Sequence, residues 1–575
     1  MPNRSVAVLS LFRLPFVALV PLLILFPSLV WAAPDAGDIL RQQPKPPAVA
    51  PAQPPVTPAV PAEAEKDTGP KILVKGFRIQ GAHLIPEAEL AAQLKDVIGK
   101  ELSFRQLRGT TFVLIAYYAQ KGYLARVILP EQDIKDGIVT LQVVEGKRGS
   151  LHINSSGERI DAARVERFID RRLANGDAMS IASLGEALNI LNEQPGVAAT
   201  SSLAPGKGEG DIDLLVTAVG KPLLGANLGL NNNGAAGTGE LQASGGVILS
   251  NPTGRFDAAS LTANVSNGTT YGRLDYSLAV GDAGLRLGAN ASHLYYHLTQ
   301  ASYSALNSTG SADTAGLTAS YPVARRAEFN LSLTGSYDDK RLVDNTVAGE
   351  TGNRHVTVSN IGLSGYTMGN PDSLFGSGVM SFGANLAFGN SDQRNAAALT
   401  TDSTTRKVQG SFSKVAYNAG YLRALTSNWS VNATLHGQIA SKNLDSTERF
   451  NLGGPNGVRA YSVGEATGDD GWLLSLTASD KLSDALSANL FFDTGGIRLN
   501  RNTWANWNAA NTNLPNTYQL SDLGAGFDWR ISPTAFFSAS IATPLGSNPG
   551  RDSNGHNIDG AGSHVRGWFS FNAQI

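Results

Sequence analysis

The sequence predicts a transmembrane antiparallel β-barrel of about 16 strands, preceded by two small α+β domains with the element order β-α-α-β-β. Three observations support this prediction. Apolar and polar residues alternate in one segment after another between residues 220 and 575. A pattern of about 75 residues occurs twice between residues 71 and 219. Only 16% of the 575 residues are charged, whereas about 25% are charged in average soluble proteins.

The composition excludes several classes of function. The formal net charge is -2, so no basic field is available to attract nucleic acid, and we expect no nucleic-acid partner. The chain has no Cys, which excludes disulfides, thiolate metal ligands and a thiol nucleophile. His293 and His297 are four residues apart, which on a strand is about 13 Å and too far to share a metal ion. Because no catalytic constellation is recognisable, we expect neither a cofactor nor an enzymatic activity.

Residues 1–32 are typical of a secretory signal peptide. Arg4 and Arg13 precede an apolar run from Leu14 to Leu29, and Val30-Trp31-Ala32 gives a small-x-Ala cleavage site. A permanent membrane anchor is the alternative. No later apolar run approaches the length of about 18 residues that a membrane-spanning helix needs.

Residues 33–70 are predicted to be mostly an extended linker, because they contain ten of the 27 Pro residues. One piece differs. Residues 35–43 favour a couple of helical turns, which Pro44 ends. A helix of this length is unstable alone, so it needs a docking site.

The repeated pattern predicts two domains, at residues 71–146 and 147–219. In the first, we expect strands at 73–79, 123–129 and 137–144 and helices at 86–94 and 104–121. In the second, we expect strands at 150–154, 197–203 and 211–218 and helices at 162–173 and 181–192. An exposed edge of either sheet could accept an extended peptide as an added strand. The alternative, that both domains are spacers, is equally compatible with the pattern.

Residues 220–575 are predicted to form the barrel. Phe569, Phe571, Ala573 and Ile575 alternate with polar residues at the C-terminus, as comparable residues do in many earlier segments. An apolar face toward lipid and a small-polar face toward the lumen is the pattern of an outer-membrane barrel. A soluble β-sandwich also alternates, but its inner face is usually richer in Ile, Leu and Val. About 16 strands enclose enough space for an aqueous channel.

A Gly-rich loop at residues 453–469 is a candidate functional element, because it holds Arg459 between two predicted strands. In the following strand, the alternation directs Leu490 and Phe492 to lipid and therefore Asp493 to the lumen. A carboxylate inside a barrel requires a cationic partner, and Arg459 is the candidate if the loop folds inward. Arg459 as a solvated loop residue is the alternative.

These residues resemble the outer-membrane transporters of two-partner secretion, the TpsB branch of the Omp85 superfamily. The loop tip of that family, Val-Arg-Gly-Tyr/Phe, matches Val458-Arg459-Ala460-Tyr461, with Ala460 in place of the usual Gly. The partner-strand motif Phe-x-Asp-x-Gly matches Phe491, Asp493 and Gly495. The resemblance covers nearly the whole chain after the signal peptide. It implies that the two small domains are POTRA domains, that the loop folds into a 16-stranded barrel, and that Asp35, Ile39 and Leu40 belong to a plug helix.

The resemblance also implies a function. Such a protein binds one large, unfolded, β-helical exoprotein in the periplasm through its POTRA domains and exports it through the barrel without ATP. The expected location is the outer membrane of a Gram-negative bacterium. The expected partners are the exoprotein (an adhesin, cytolysin or toxin), outer-membrane lipid and, during biogenesis, the barrel assembly machinery. Two alternatives remain: an outer-membrane protein insertion factor of the same superfamily, and a passive solute channel.

Overall fold

The computed structural model describes residues 33–44, 71–134, 136–369, 376–509, 511–552, 554–562 and 565–575. The predicted signal peptide and most of the predicted linker, residues 45–70, lie outside the described residues. An N-terminal helix is followed by two small α/β units and a barrel. Among the described residues, no helix is both long enough and apolar enough to cross a membrane.

The first small domain is a three-stranded sheet covered by helices. The N-terminal helix, which precedes this domain, is α1 (Ala36–Arg41). The elements of the domain are β1 (Lys71–Leu73), β2 (Gly76–Gln80), α2 (Glu87–Ala92), a 3-10 turn (Lys95–Val97), β3 (Glu101–Ser103), α3 (Phe104–Gln120), β4 (Ala125–Ile128) and β5 (Ile138–Glu145). The sheet has the order β2-β5-β4, with β2 parallel to β5. Leu107, Leu114 and Tyr118 of α3 are buried against it, as the three- and four-residue spacing of apolar residues in α3 predicts.

The single strand predicted over residues 73–79 was wrong, because the chain changes partner within it. Strand β1 pairs with β3, whereas β2 pairs with β5. Between them, the Val74 amide donates to the Lys100 carbonyl and the Lys75 amide to the Gly137 carbonyl. The short strand β3 was not predicted from the sequence.

The second small domain repeats the same arrangement. Its elements are β6 (Lys147–Ser156), α4 (Ala162–Asp170), α5 (Ile181–Asn192), β7 (Val197–Pro205) and β8 (Asp211–Gly220). The sheet order is β6-β8-β7, with β6 parallel to β8 and β7 antiparallel to it. The predicted β-α-α-β-β order is confirmed for the second domain, and the three-stranded sheet and helices of the first domain follow it too (β2, α2, α3, β4, β5), with β1 and β3 as an additional pair.

Sixteen antiparallel strands of the described chain close into a barrel, which confirms the predicted fold class. The first eleven are β9 (Leu224–Asn231), β10 (Gln242–Ser250), β11 (Ala258–Ser266), β12 (Thr269–Val280), β13 (Leu285–His297), β14 (Thr309–Arg325), β15 (Phe329–Thr346), β16 (Gly349–Met368), β17 (Val379–Gln393), β18 (Gly410–Ala424) and β19 (Trp429–Ala440). The 3-10 turn Ala301–Leu306 precedes β14, and helix α6 (Ala396–Thr404) precedes β18.

The remaining barrel strands follow a long loop. The loop contains the 3-10 turn Ser446–Glu448 and two short strands, β20 (Phe450–Asn451) and β21 (Thr467–Gly468). After it come β22 (Asp470–Lys481), β23 (Leu486–Arg498), β24 (Thr517–Ser532), β25 (Ala535–Pro544) and β26 (Arg566–Gln574).

The barrel closes between its first and last strands. Strand β26 pairs with β9, and Phe571 lies opposite the outward-facing Leu230. Phe569 shares this outer face with Phe571, since residues two apart on a strand point the same way. Ile575 extends the ladder beyond β26, because its amide and carbonyl both bond to Ala226. The last residue therefore takes part in closing the barrel, which leaves no free sheet edge within lipid.

The second small domain is fixed to the barrel by an aromatic side chain. Phe256, in the turn between β10 and β11, is fully buried in the core of that domain. Its ring meets Phe168 of α4 edge-on at a centroid distance of 5.6 Å. Phe256 has φ +56°, an uncommon conformation for a bulky residue that the surrounding contacts must maintain.

Polar contacts at neighbouring turns of the barrel add to this aromatic anchor. Arg325 at the end of β14 pairs with Glu193, with 2.5 Å between Nε and Oε1. Arg164 and Arg172 of the small domain donate to the carbonyls of Ala279 and Ala283. The second small domain and the barrel thus share one packed interface.

We expect Phe256→Ala to weaken this interface, because removing a fully buried aromatic ring costs about 3–5 kcal/mol. The matched control is Phe112→Ala, since Phe112 is 65% exposed on α3. Calorimetry of the purified full chain should show a lower first unfolding temperature for Phe256→Ala only, together with faster proteolysis of the small domains. Equal behaviour of the two variants would contradict an anchoring role.

Candidate functional site

The loop between β19 and β22 lies inside the barrel. Its tip is buried: Val458, Ala460 and Tyr461 belong to an apolar cluster that also contains Leu452 and residues of the barrel wall. The tip turns back on itself through hydrogen bonds from the Val458 amide to the Leu452 carbonyl and from the Gly454 amide to the Tyr461 carbonyl. Gly454 has φ +113°, a conformation for which Gly is suited. The loop is therefore a packed part of the lumen.

Arg459 at the tip contacts the partner-strand motif directly. Its Nε donates to Oδ2 of Asp493 at 2.7 Å, and its NH2 group donates to Oδ1 at 2.9 Å. Asp493 is fully buried on β23. The guanidinium carbon also lies 3.3 Å from the centroid of the Phe491 ring. A bidentate ion pair with a stacked guanidinium is among the stronger polar contacts available to a buried Arg.

Two further residues form hydrogen bonds with the ion pair of Arg459 and Asp493 or with the backbone of Arg459. Ser475 on β22 donates its hydroxyl to Oδ1 of Asp493 at 2.5 Å. Trp568 on β26 donates its indole N–H to the Arg459 carbonyl at 2.7 Å. Three barrel strands, β22, β23 and β26, therefore hold the loop tip in place.

Ala460, which replaces the Gly of the resembled family, fits its position without strain. It is not among the described residues with positive φ. Its amide donates to Oδ2 of Asp522 on β24 at 2.6 Å. The non-glycine residue of this loop that does adopt a left-handed conformation is Ala466, at φ +54°.

Gly495 allows the loop to lie close to the wall. A Cβ at Gly495 would stand 2.5 Å from the carbonyl oxygen of Trp472 and would overlap the side chain of Leu452. Any larger residue would therefore displace the base of the loop. Within the partner-strand motif, Gly495 thus has a steric role, whereas Asp493 has an electrostatic one.

The root of the loop is fixed by a second set of buried charges. Glu448 pairs with Lys340 on β15 at 2.5 Å and with Lys414 on β18 at 2.9 Å. Burial alone would raise the pKa of Glu448, but the two ammonium charges outweigh it and lower that pKa to about 2. Because the pKa is depressed, this contribution is retained at neutral pH and is lost only as the pH falls toward that value.

The N-terminal helix α1 also lies in the lumen, where Ile39 is fully buried and Leu40 packs at the edge of the same apolar cluster. It covers Ala36–Arg41, which is shorter than the predicted 35–43. Asp35 caps it by accepting from the amides of Gly37 and Asp38. Beyond the helix, Gln43 accepts a hydrogen bond from Asn264 on β11 at 3.0 Å.

Asp35 also binds the barrel wall. Arg354 on β16 donates to Asp35 at 2.8 Å, and the same guanidinium contacts Asp344 at 3.0 Å and Asp445 at 3.2 Å. The Ser446 hydroxyl donates to Asp35 at 2.7 Å. Burial would raise the pKa of Asp35, but the Arg354 charge and these hydrogen bonds hold it well below its usual range. Helix and loop root are therefore attached to one shared cation.

Gly37 brings the helix into contact with the loop root. A Cβ at Gly37 would stand 2.9 Å from the backbone nitrogen of Thr447 and would overlap the Ser446 hydroxyl. The docked position thus requires Gly at this point of the helix.

Sequence reasoning placed Arg459 beside Asp493 but missed the other charged residues of the lumen. The missed residues include Lys340, Arg354, Lys414, Asp445, Glu448 and Asp522. One strand has charged residues on both faces, at Asp338, Asp339, Lys340 and Arg341, so the alternation of apolar and polar residues does not show which of these side chains faces the lumen. The alternation of side chains along a strand could have assigned Asp522 to the lumen, because its neighbour Leu523 is apolar and fits the lipid-facing side.

Comparison with known proteins places this architecture in a family. Residues 210–512, more than half of the chain, match the family profile described as haemolysin secretion/activation protein ShlB/FhaC/HecB. Residues 72–146 match the ShlB-type POTRA domain. The first small domain is therefore a POTRA domain, and the second has the same fold.

Individual relatives agree with the profile. The heme/hemopexin transporter protein HuxB of Haemophilus influenzae is 26% identical over 80% of this chain and 81% of its own length. The hemolysin transporter protein ShlB of Serratia marcescens is 25% identical over 83% of this chain and 85% of its own. The solved structure of CdiB from Escherichia coli superposes with a TM-score of 0.66 at 20% identity, covering 91% of this chain and 94% of that one, and supports the fold.

The barrel, the POTRA domains and these relatives locate the protein in the outer membrane with its POTRA domains in the periplasm. The chain belongs to the haemolysin secretion/activation protein family ShlB/FhaC/HecB, the TpsB transporters of the Omp85 superfamily.

Proposed function

We propose that this protein exports one large exoprotein from the periplasm to the cell surface. The POTRA domains bind the unfolded client, the barrel is the conduit, and no ATP is used. The observation that carries this proposal is the presence of two elements of the chain inside the barrel lumen. Helix α1 and the inward loop lie in it and are attached to the wall by apolar packing and by polar side-chain contacts. Water can replace the polar contacts when an occupant leaves. Relatives named as transporters of hemolysin and of heme/hemopexin support an exported protein as the cargo.

Client capture is proposed to occur at a sheet edge of the POTRA domains. Strands β4 and β7 are edge strands of their three-stranded sheets. An extended peptide can hydrogen-bond to such an edge without a defined side-chain sequence. The client would then pass to the barrel mouth, beside which the second domain is fixed. Folding of a repetitive client outside the cell would bias the transit, because a solenoid can nucleate and propagate from one end.

The first experiment compares the secreted and outer-membrane proteins of a parent strain and a deletion strain by mass spectrometry. We expect loss of one very large exoprotein from the medium, with other barrels unchanged. Loss of many outer-membrane barrels would support an insertion factor instead. Altered solute uptake without any protein change would support a passive channel.

We expect Arg459→Ala and Asp493→Ala each to reduce client export by at least about tenfold, because removal of one partner leaves a buried charge uncompensated at about 3–5 kcal/mol. The double variant should lose little more than either single variant, since the two residues act as a pair. Export is measured by quantifying the client in the medium, and barrel insertion by heat-modifiable mobility on gels.

The matched control for these variants is Arg341→Ala. Arg341 lies on β15 with its side chain 69% exposed and 3.7 Å from Asp339, and exposed pairs contribute about 0–1 kcal/mol. Normal export from both Arg459→Ala and Asp493→Ala would remove the ion pair from the mechanism.

We expect Gly37→Ala to open the pore, because the added methyl group collides with the loop root and prevents α1 from docking. Conductance in planar bilayers should rise toward that of a variant lacking residues 33–44. The control is Gly109→Ala in α3, where an added Cβ meets no atom within 4 Å. If Gly37→Ala conducts like the parent while the deletion variant is open, the plugging contact lies elsewhere on the helix.

A further inference from the structure

Two buried carboxylates face each other at the loop tip. Asp493 on β23 and Asp522 on β24 are direct register partners. Both side chains are fully buried. Directly opposed residues in an antiparallel pair have Cα atoms about 4.5–5.5 Å apart, so their carboxyl groups are neighbours.

The hydrogen-bond partners of the two groups differ. Asp493 accepts three side-chain hydrogen bonds, two from Arg459 and one from Ser475. Asp522 accepts the Ala460 amide through Oδ2. Its other oxygen, Oδ1, is buried and has no hydrogen-bond partner among the described residues. An orphaned buried carboxylate oxygen is costly, and this one lies beside another carboxylate.

The charges at this point do not balance if both groups are ionised. Asp493 on β23 is the register partner of Asp522 and already pairs with Arg459 of the loop. On its other side, Asp522 faces Pro544 of β25, which has no ionisable group. One guanidinium therefore serves two carboxylates. Adjacent buried carboxylates cannot both ionise without a large repulsion, and such pairs share one proton.

We propose that Asp522 is a protonated positioning residue. Its Oδ1 carries a proton that is donated to Asp493, while Oδ2 accepts the Ala460 amide. The proton satisfies the orphaned oxygen and leaves one negative charge opposite Arg459. Asp522 thereby aligns Asp493 for the bidentate pair and fixes the backbone next to Arg459. This inference concerns the seating of the loop and does not depend on what the barrel exports.

A pH dependence follows from this proton. When the loop leaves the wall, both carboxyl groups meet water and Asp522 releases its proton at neutral pH. The seated loop thus binds one proton more than the released loop, so seating is favoured at low pH and weakens as the pH rises. Replacement of Asp522 by Asn removes the titration and keeps the geometry, because an amide oxygen accepts from Ala460 and an amide N–H donates to Asp493.

The chain offers a direct reporter of loop seating, because it contains no Cys. Ser462, next to the tip, is buried, and its hydroxyl has no hydrogen-bond partner among the described residues. The substitution S462C therefore places a thiol where a maleimide can react only when the loop opens. The exposed turn residue Ser427 provides the control substitution S427C, whose reaction rate corrects for the ionisation of the thiol itself.

The experiment measures the ratio of maleimide reaction rates, S462C over S427C, in the purified full chain. At pH 6, we expect D522N to react within about twofold of the parent background. We expect D522A and D493N to react at least about tenfold faster, because each loses a hydrogen bond or charge on which the buried pair depends. Between pH 5 and pH 9, the ratio should rise more steeply in the parent background than in D522N, in which the buried Glu465 of the same loop, whose pKa is also raised by burial, still titrates.

Two results would overturn the proposal. If D522N reacts as fast as D493N, Asp522 acts as an ionised partner of the loop. If the ratio has the same pH dependence in the parent and in D522N, the titrating group is another residue. Because the reaction is measured without a client, either result leaves the export function to its own test.

Discussion

A charge buried inside a barrel must be neutralised from within the same lumen, and the interior of this protein follows from that constraint. The wall carries Lys340, Arg354, Lys414 and Asp493 at buried or nearly buried positions. Their partners come largely from the inward loop: Glu448, Asp445 and Arg459. The wall and the loop are therefore electrostatically incomplete without each other, because separating them leaves charges that only water can solvate.

The same constraint links the helix to the loop. Arg354 contacts Asp35 of the helix cap, Asp445 of the loop root and Asp344 of its neighbouring strand. If the helix leaves the lumen as proposed, two of the three carboxylates stay with Arg354. The wall would then retain partners for its cation, which would reduce the free-energy difference between the states with and without the helix in the lumen.

The barrel was predictable because its signal is repeated in strand after strand, and the predicted number of about 16 strands agrees with the structure. The pairing of Arg459 with Asp493 was predictable for a different reason, since strand alternation assigned the carboxylate to the lumen and the neighbouring Gly-rich loop contained Arg459. The contact between Asp35 and Arg354 was not predictable. These residues are 319 positions apart, and no local pattern encodes such a distance. The break between β1 and β2 was missed because both halves are β-prone and only their partners differ.

The anchoring of Phe256 in the core of the second POTRA domain has a consequence for transport. A domain held by a buried ring and flanking ion pairs does not swing independently of the pore. The free edge of its sheet and the axis of the barrel then keep a constant angle and separation. A polypeptide bound to that edge would enter the barrel with a defined N-to-C orientation. The fixed position of the domain would therefore set the direction in which the chain is threaded.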